Sequence, residues 1–115
     1  MIDIQSKFTG LISIFIGKAQ NLGYKLTFGE AWRPPEMAEI YAKEGKGISK
    51  SLHTERLAVD FNAFVDNEYL DGGKPEHIPH LLKLGETWES LGGSWGGRFE
   101  MKDYNHYSLE YQGIR

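Results

Sequence analysis

The sequence contains no cysteine. Disulfide scaffolds, thiol nucleophiles and Cys-ligated zinc are therefore excluded, and any metal site must draw on His, Asp or Glu. Cations are also scarce. Lys and Arg number 13 against 16 Asp and Glu, for a net charge of −3 and a pI near 5.8. That balance lacks the basic footprint of a nucleic-acid binder. No long hydrophobic run is present. The apolar stretch from Leu11 to Ile16 is interrupted by Ser13 and falls far short of the ~18 residues of a spanning helix. The start of the chain has no cationic segment leading into an apolar run, so a signal peptide is not expected. Synthesis in the cytoplasm without membrane insertion follows as an expectation. The remaining composition is ordinary for a folded chain: 115 residues, 40% hydrophobic and 13% aromatic. One domain spanning 1–115 is expected. The 14 glycines foretell many tight turns, and the four histidines become the residues to examine.

Phe8, Leu11, Ile12, Phe15, Ala19 and Leu22 recur at steps of three and four, one face of an amphipathic helix. The opposite face carries too few cations for a membrane-surface helix, so docking on a core is predicted. Gly23 ends that helix. Tyr24–Phe28 alternates as a strand, continuing to Arg33 until Pro34-Pro35 stops it. Glu36–Lys43 reads as a short helix after proline, and Glu44–Lys50 as a loop. Leu57–Val65 alternates as a central strand. Asp66-Asn67 forms a turn into a short return strand, Glu68–Leu70, and Asp71-Gly72-Gly73 forms another turn. Pro75–Leu91 is a second long helix with Ile78, Leu81, Leu82, Gly85, Trp88 and Leu91 on one face. Residues 92–97 form a glycine-rich loop, and a last strand runs over His106–Tyr111. No repeat, linker or low-complexity tract appears. The mixture lacks a regular βαβ rhythm. It reads as α+β, with about three helices packed around a small, mostly antiparallel sheet.

Asp60 lies within the apolar central strand. Val59 and Phe61 point to one face, and Ala58, Asp60 and Asn62 to the other. A carboxylate there is costly to bury unless it is paired or bound to a metal. His53 lies in the loop entering that strand and can fold back beside it, and Ala58 leaves space for an ion. Further along, Asp103 and His106 flank Tyr104-Asn105, where a bend can turn both inward. Two imidazoles and two carboxylates thus come from separate segments. A catalytic zinc takes three protein ligands and a water, leaving the fourth group free to act as a base. The alternative is that His53 and His106 are ordinary polar residues and Asp60 pairs with Arg33 or Arg56. A rival pair, His77 and His80, sits at the polar start of a helix and reads as a solvated surface pair. Trp95, Tyr104, Tyr107 and Trp32 read as packing residues, although Trp95 in its glycine-rich loop can also wall a cleft.

The pattern Ser51-x-His53-x6-Asp60 followed by Asp103-x-x-His106 resembles the zinc D-alanyl-D-alanine carboxypeptidases and L-alanyl-D-glutamate endopeptidases. These cleave peptide stems of the bacterial cell wall, and phage endolysins are among them. The resemblance also takes in Gly29-Glu30-Ala31-Trp32-Arg33 and the Gly92-Gly93-Ser94-Trp95 turn. It implies that His53, Asp60 and His106 ligate Zn2+ at the sheet, that Asp103 is the general base, and that Arg33 lines the active site. Arg33 would stabilise an oxyanion or bind a substrate carboxylate, with pairing to Glu30 or Asp60 as its structural alternative. Many family members have Gly where this chain has Arg56. The function implied is hydrolysis of an amide bond in a peptidoglycan stem, D-Ala-D-Ala or L-Ala-D-Glu, by a monomer acting on the wall. An endolysin released by a holin is the expected setting. The alternative is an inactive zinc-bearing module that binds wall peptides or a protein, and the presence of Asp103 favours the enzyme.

Overall fold

The computed structural model describes residues 1–44 and 51–115. It has the expected α+β architecture, with three α-helices and a small antiparallel sheet. The helices are α1 (Ile2–Asn21), α2 (Pro35–Lys43) and α3 (Ile78–Ser90). The strands are β1 (Lys25–Phe28), β2 (Ala58–Val65), β3 (Glu68–Tyr69), β4 (Ser94–Trp95) and β5 (His106–Ser108). Their order is β1-β2-β5-β4, with β3 also pairing to β2. Most of the loop expected over Glu44–Lys50 lies outside the described residues. Among the described residues no helix is long and apolar enough to cross a membrane.

The helix α1 buries Phe8, Ile12, Phe15 and Ala19, the narrow stripe that a 3.6-residue repeat presents to a core. Leu22 was expected on that face. It is instead the C-cap, 47% exposed, because the helix has ended by then. Phe15 packs on Phe61 of β2 and Tyr107 of β5, and Phe8 meets Trp88 of α3 edge-on. Fully burying an aromatic of this kind contributes roughly 1.5–3 kcal/mol. Trp88 also donates its indole N–H to the carbonyls of Ser94 (3.1 Å) and Ser108 (3.0 Å), tying α3 to β4 and β5. The long helix predicted from Pro75 begins as a single 3₁₀ turn, Pro75–His77, before α3 proper.

The register sorts the faces of the sheet. Val59 pairs with Tyr107 and Asp60 with His106, so alternation puts Val59, Phe61 and Tyr107 on the α1 side. Asp60 and His106 emerge together on the other side. The Asp66-Asn67 turn is as predicted, with φ of 51° and 64°, the signature of a tight hairpin turn.

Three strand expectations needed correction. The strand expected to run on to Arg33 ends at Phe28. There, Gly29 N–H donates to the Asp60 carbonyl (2.8 Å) while Asp60 N–H donates to the Glu30 carbonyl (2.8 Å). Two residues thus face one, which breaks the ladder as a bulge does. The glycine-rich stretch 92–97 contains strand β4, followed by a 3₁₀ turn, Gly96–Arg98. The last strand stops at Ser108, short of the expected Tyr111.

Candidate metal centre

His53 belongs to the loop that enters β2. That loop is anchored by Leu52 and Leu57, both fully buried, and closed by Leu57 N–H donating to the Leu52 carbonyl (2.9 Å). Ser51 Oγ accepts from His53 N–H (3.2 Å), and the Ser51 carbonyl accepts from Thr54 Oγ1 (2.6 Å). The loop turns at Arg56, whose φ of 60° is the left-handed conformation that glycine adopts without strain. An arginine therefore holds a backbone geometry that suits glycine. Its guanidinium lies over the Trp32 ring, 4.4 Å from the centroid.

Asp60 and His106 are cross-strand partners. His106 Nδ1 is 3.8 Å from Asp60 Oδ1, and His53 Nε2 is 3.3 Å from the same oxygen. The potential ligand atoms of His53, Asp60 and His106 all lie within 4.8 Å of one another. Both imidazoles are buried. His53 Nδ1, Asp60 Oδ1 and His106 Nε2 are buried and without a hydrogen-bond partner. Buried polar atoms are ordinarily satisfied, so Asp60 Oδ1, approached by both imidazoles yet without a hydrogen bond, fits a cation that completes the coordination. Two nitrogens and one carboxylate oxygen form a donor set suited to zinc. Burial, and then the neighbouring His53, hold the His106 imidazole down to about 4. At neutral pH it is therefore uncharged, the state in which imidazole ligates a metal.

The expected alternative partners of Asp60 are engaged elsewhere. Arg33 Nε donates to Glu30 Oε1 (2.7 Å), and Arg56 lies over Trp32.

Asp103 stands in the same cleft but outside the three-residue group. Its carbonyl accepts from His106 N–H (3.2 Å), closing the Tyr104-Asn105 turn predicted to swing both residues inward. Crowding by protein atoms, and then the Asp60 carboxylate, raise the Asp103 carboxyl above its ordinary range, while Asn105 N–H pulls the other way. A carboxylate with a raised pKa is a better proton acceptor. Gly96 packs against this turn. A Cβ there would collide with the Asp103 carbonyl oxygen and crowd His106 Cβ.

The cleft measures about 390 Å³ and is also lined by Arg33, Ser51, Phe99, Lys102 and Arg115. Of the residues that sequence reasoning left unassigned, Phe99, Lys102 and Arg115 reach it only through tertiary folding. Trp95 is buried, and its indole N–H donates to the Tyr104 carbonyl (2.9 Å). It braces the turn and does not wall the cleft.

The rival pair departs from expectation. His77 is buried, not solvated. Its Nδ1 accepts from Asp71 N–H (2.9 Å), and its Nε2 is 3.4 Å from Glu68. The half-buried His80 uses Nδ1 to bond the Tyr24 hydroxyl (2.8 Å). The two rings serve separate structural contacts, His77 from the 3₁₀ turn and His80 from the first turn of α3.

A family model described as D-alanyl-D-alanine carboxypeptidase matches residues 44–109, more than half of the chain. The chain belongs to this family. The matched segment carries His53, Asp60, Asp103 and His106, whereas Glu30 and Arg33 precede it. Family membership makes the protein a peptidase by descent. No curated protein matches the sequence. Among solved structures, the Serratia marcescens L-Ala D-Glu endopeptidase ChiX superposes with a TM-score of 0.70. The superposition covers 93% of this chain and 80% of that one, at 16% identity. This carboxypeptidase-family chain therefore shares the fold of that endopeptidase.

Proposed function

We propose that the protein is a zinc metallopeptidase that hydrolyses an amide bond in the stem peptide of bacterial peptidoglycan. The observation that carries this reading is the convergence of His53, Asp60 and His106, with orphaned buried atoms, in a cleft that also holds Asp103. His53, Asp60 and His106 would hold the ion. Zinc bound there supplies a water acidified toward neutrality and a Lewis acid for the scissile carbonyl. The Asp103 carboxylate takes a proton from the attacking water and returns it to the leaving nitrogen. Arg33 lines the cleft and places positive charge near the developing oxyanion.

Family membership supports a peptidoglycan substrate. The bond cut, L-Ala-D-Glu or D-Ala-D-Ala, is read from products. Purified protein should contain about one zinc per chain, the stoichiometry of a single three-ligand site. Incubated with purified peptidoglycan, it should release new termini identifiable by mass spectrometry. Zinc-loaded protein that leaves peptidoglycan intact would point to the inactive binding module, and protein that takes up no zinc would refute the metal centre. Action as a monomeric endolysin let out by a holin belongs to the same proposal. Expression alone should leave cells intact, and co-expression with a holin should lyse them.

A further inference from the structure

Glu30 has no part in the mechanism above, yet the chain ties it to both halves of the metal centre. The bulge at Gly29-Glu30 hydrogen-bonds to Asp60 in both directions, and Arg33 N–H donates to the His53 carbonyl (3.2 Å). The segment 29–33 is thus fastened to the strand that carries one candidate ligand and to the loop that carries another.

The His53 ring is divided between two carboxylates. Its Nε2 is 3.3 Å from Asp60 Oδ1, inside the cluster. Its Nδ1 is buried without a hydrogen bond, and Glu30 Oε1 is 3.8 Å away. That same oxygen accepts from Arg33 Nε at 2.7 Å, so it is aimed from the far side. Hydrogen bonds of an active site are commonly longer before its ligands are bound.

A neutral imidazole has one lone pair and one N–H, and the partner of the N–H decides which nitrogen is left to ligate. We propose that Glu30 is a positioning residue that accepts the Nδ1 proton of His53, leaving the Nε2 lone pair directed at the metal, with Arg33 holding Glu30 in place. This rests on the metal-centre reading above. Arg33 then acts at the centre partly through Glu30, and only in part by direct contact with substrate.

The test is zinc affinity, measured by titrating zinc against a chelator of known affinity, in wild type, Glu30→Ala, Glu30→Gln and the control His77→Ala. Glu30→Ala should bind zinc about 10–100-fold more weakly, the usual cost of losing such an outer partner. Glu30→Gln keeps an acceptor oxygen and should recover part of that loss. The control should match wild type. Long-range ¹H–¹⁵N spectra of the zinc-loaded wild type should show the His53 proton on Nδ1. Zinc affinity of Glu30→Ala within about twofold of wild type, or zinc on His53 Nδ1, overturns the proposal. If Glu30→Ala does not fold, Glu30→Gln and the spectrum of the wild type decide. A wild type that takes no zinc overturns the metal centre and this proposal together. Normal zinc binding by wild type with no loss in the variants overturns this one alone.

Discussion

The molecule holds two pairs of histidines in two different conditions. His77 and His80 have ring nitrogens bonded to Asp71 N–H and the Tyr24 hydroxyl. His53 and His106 are as enclosed as His77, yet each keeps a buried nitrogen without a hydrogen bond, and Asp60 Oδ1, which both rings approach, is in the same state. Burial alone does not separate a structural histidine from a ligand, since His77 is as buried as His106. What separates them is hydrogen-bond satisfaction. A folded chain rarely leaves buried polar atoms unpaired, and an unpaired Asp60 Oδ1 approached by two imidazoles fits a missing cation.

The strongest way to break this contrast is to remove one histidine at a time. His53→Ala and His106→Ala should abolish zinc binding and peptidase activity. His80→Ala should keep both. His77→Ala should also keep both, but lose about 1–3 kcal/mol of stability, because Asp71 N–H is left unpaired. Zinc content, turnover and denaturant unfolding of the four variants check this. Zinc content governed by residues 77 and 80 would invert the assignment.

The next largest effect separates the two carboxylates. Asp103→Asn should retain zinc and stability while turnover falls by roughly 10²–10⁴-fold, the usual contribution of a general base. Asp60→Asn should lose zinc along with rate. The reverse pattern would exchange their roles.

Gly96→Ala tests whether the turn carrying Asp103 and His106 must lie against bare backbone. The added methyl meets a backbone oxygen and cannot rotate away. A loss of about 1–3 kcal/mol is expected, as for other overpacked sites, together with weaker zinc binding as His106 is displaced. Unchanged stability and affinity would show that the turn relaxes freely.

Arg56→Gly should have the smallest effect. It relieves a left-handed arginine, costing roughly 1–2 kcal/mol, and removes a cation–π contact worth about 0.5–1 kcal/mol. Unfolding should show a net change within about 1 kcal/mol, tending toward stabilisation, and zinc binding should be unaltered. A large loss of zinc would mean that Arg56 shapes the loop in a way glycine cannot.

Much of the fold was legible because periodicity is a local property. The stripe from Phe8 to Ala19 announced α1, the alternation from Leu57 to Val65 announced β2, and Asp66-Asn67 announced the hairpin. Boundaries were less legible where long-range pairing set them. The end of β1 depends on Gly29 and Glu30 both facing Asp60, and β4 exists only because Ser94 and Trp95 meet β5. The Pro75–Leu91 pattern concealed a 3₁₀ turn that ends at His77.

The candidate site divides in the same way. Composition alone limits the donor set: without cysteine, only His, Asp and Glu remain. The sequence by itself also set Asp60 on one face of β2, and it placed a bend-forming pair between Asp103 and His106. Tertiary structure decided which of these groups meet. Antiparallel pairing puts Asp60 opposite His106, and the Leu52–Leu57 closure brings His53 over both. The fold also sends Arg33 to Glu30 instead of Asp60, and it satisfies His77 while leaving His53 and His106 unsatisfied. Alternation and turn chemistry act over a few residues and can be read along the chain. The satisfaction of a buried polar atom depends on neighbours distant in sequence, which only the packed chain supplies.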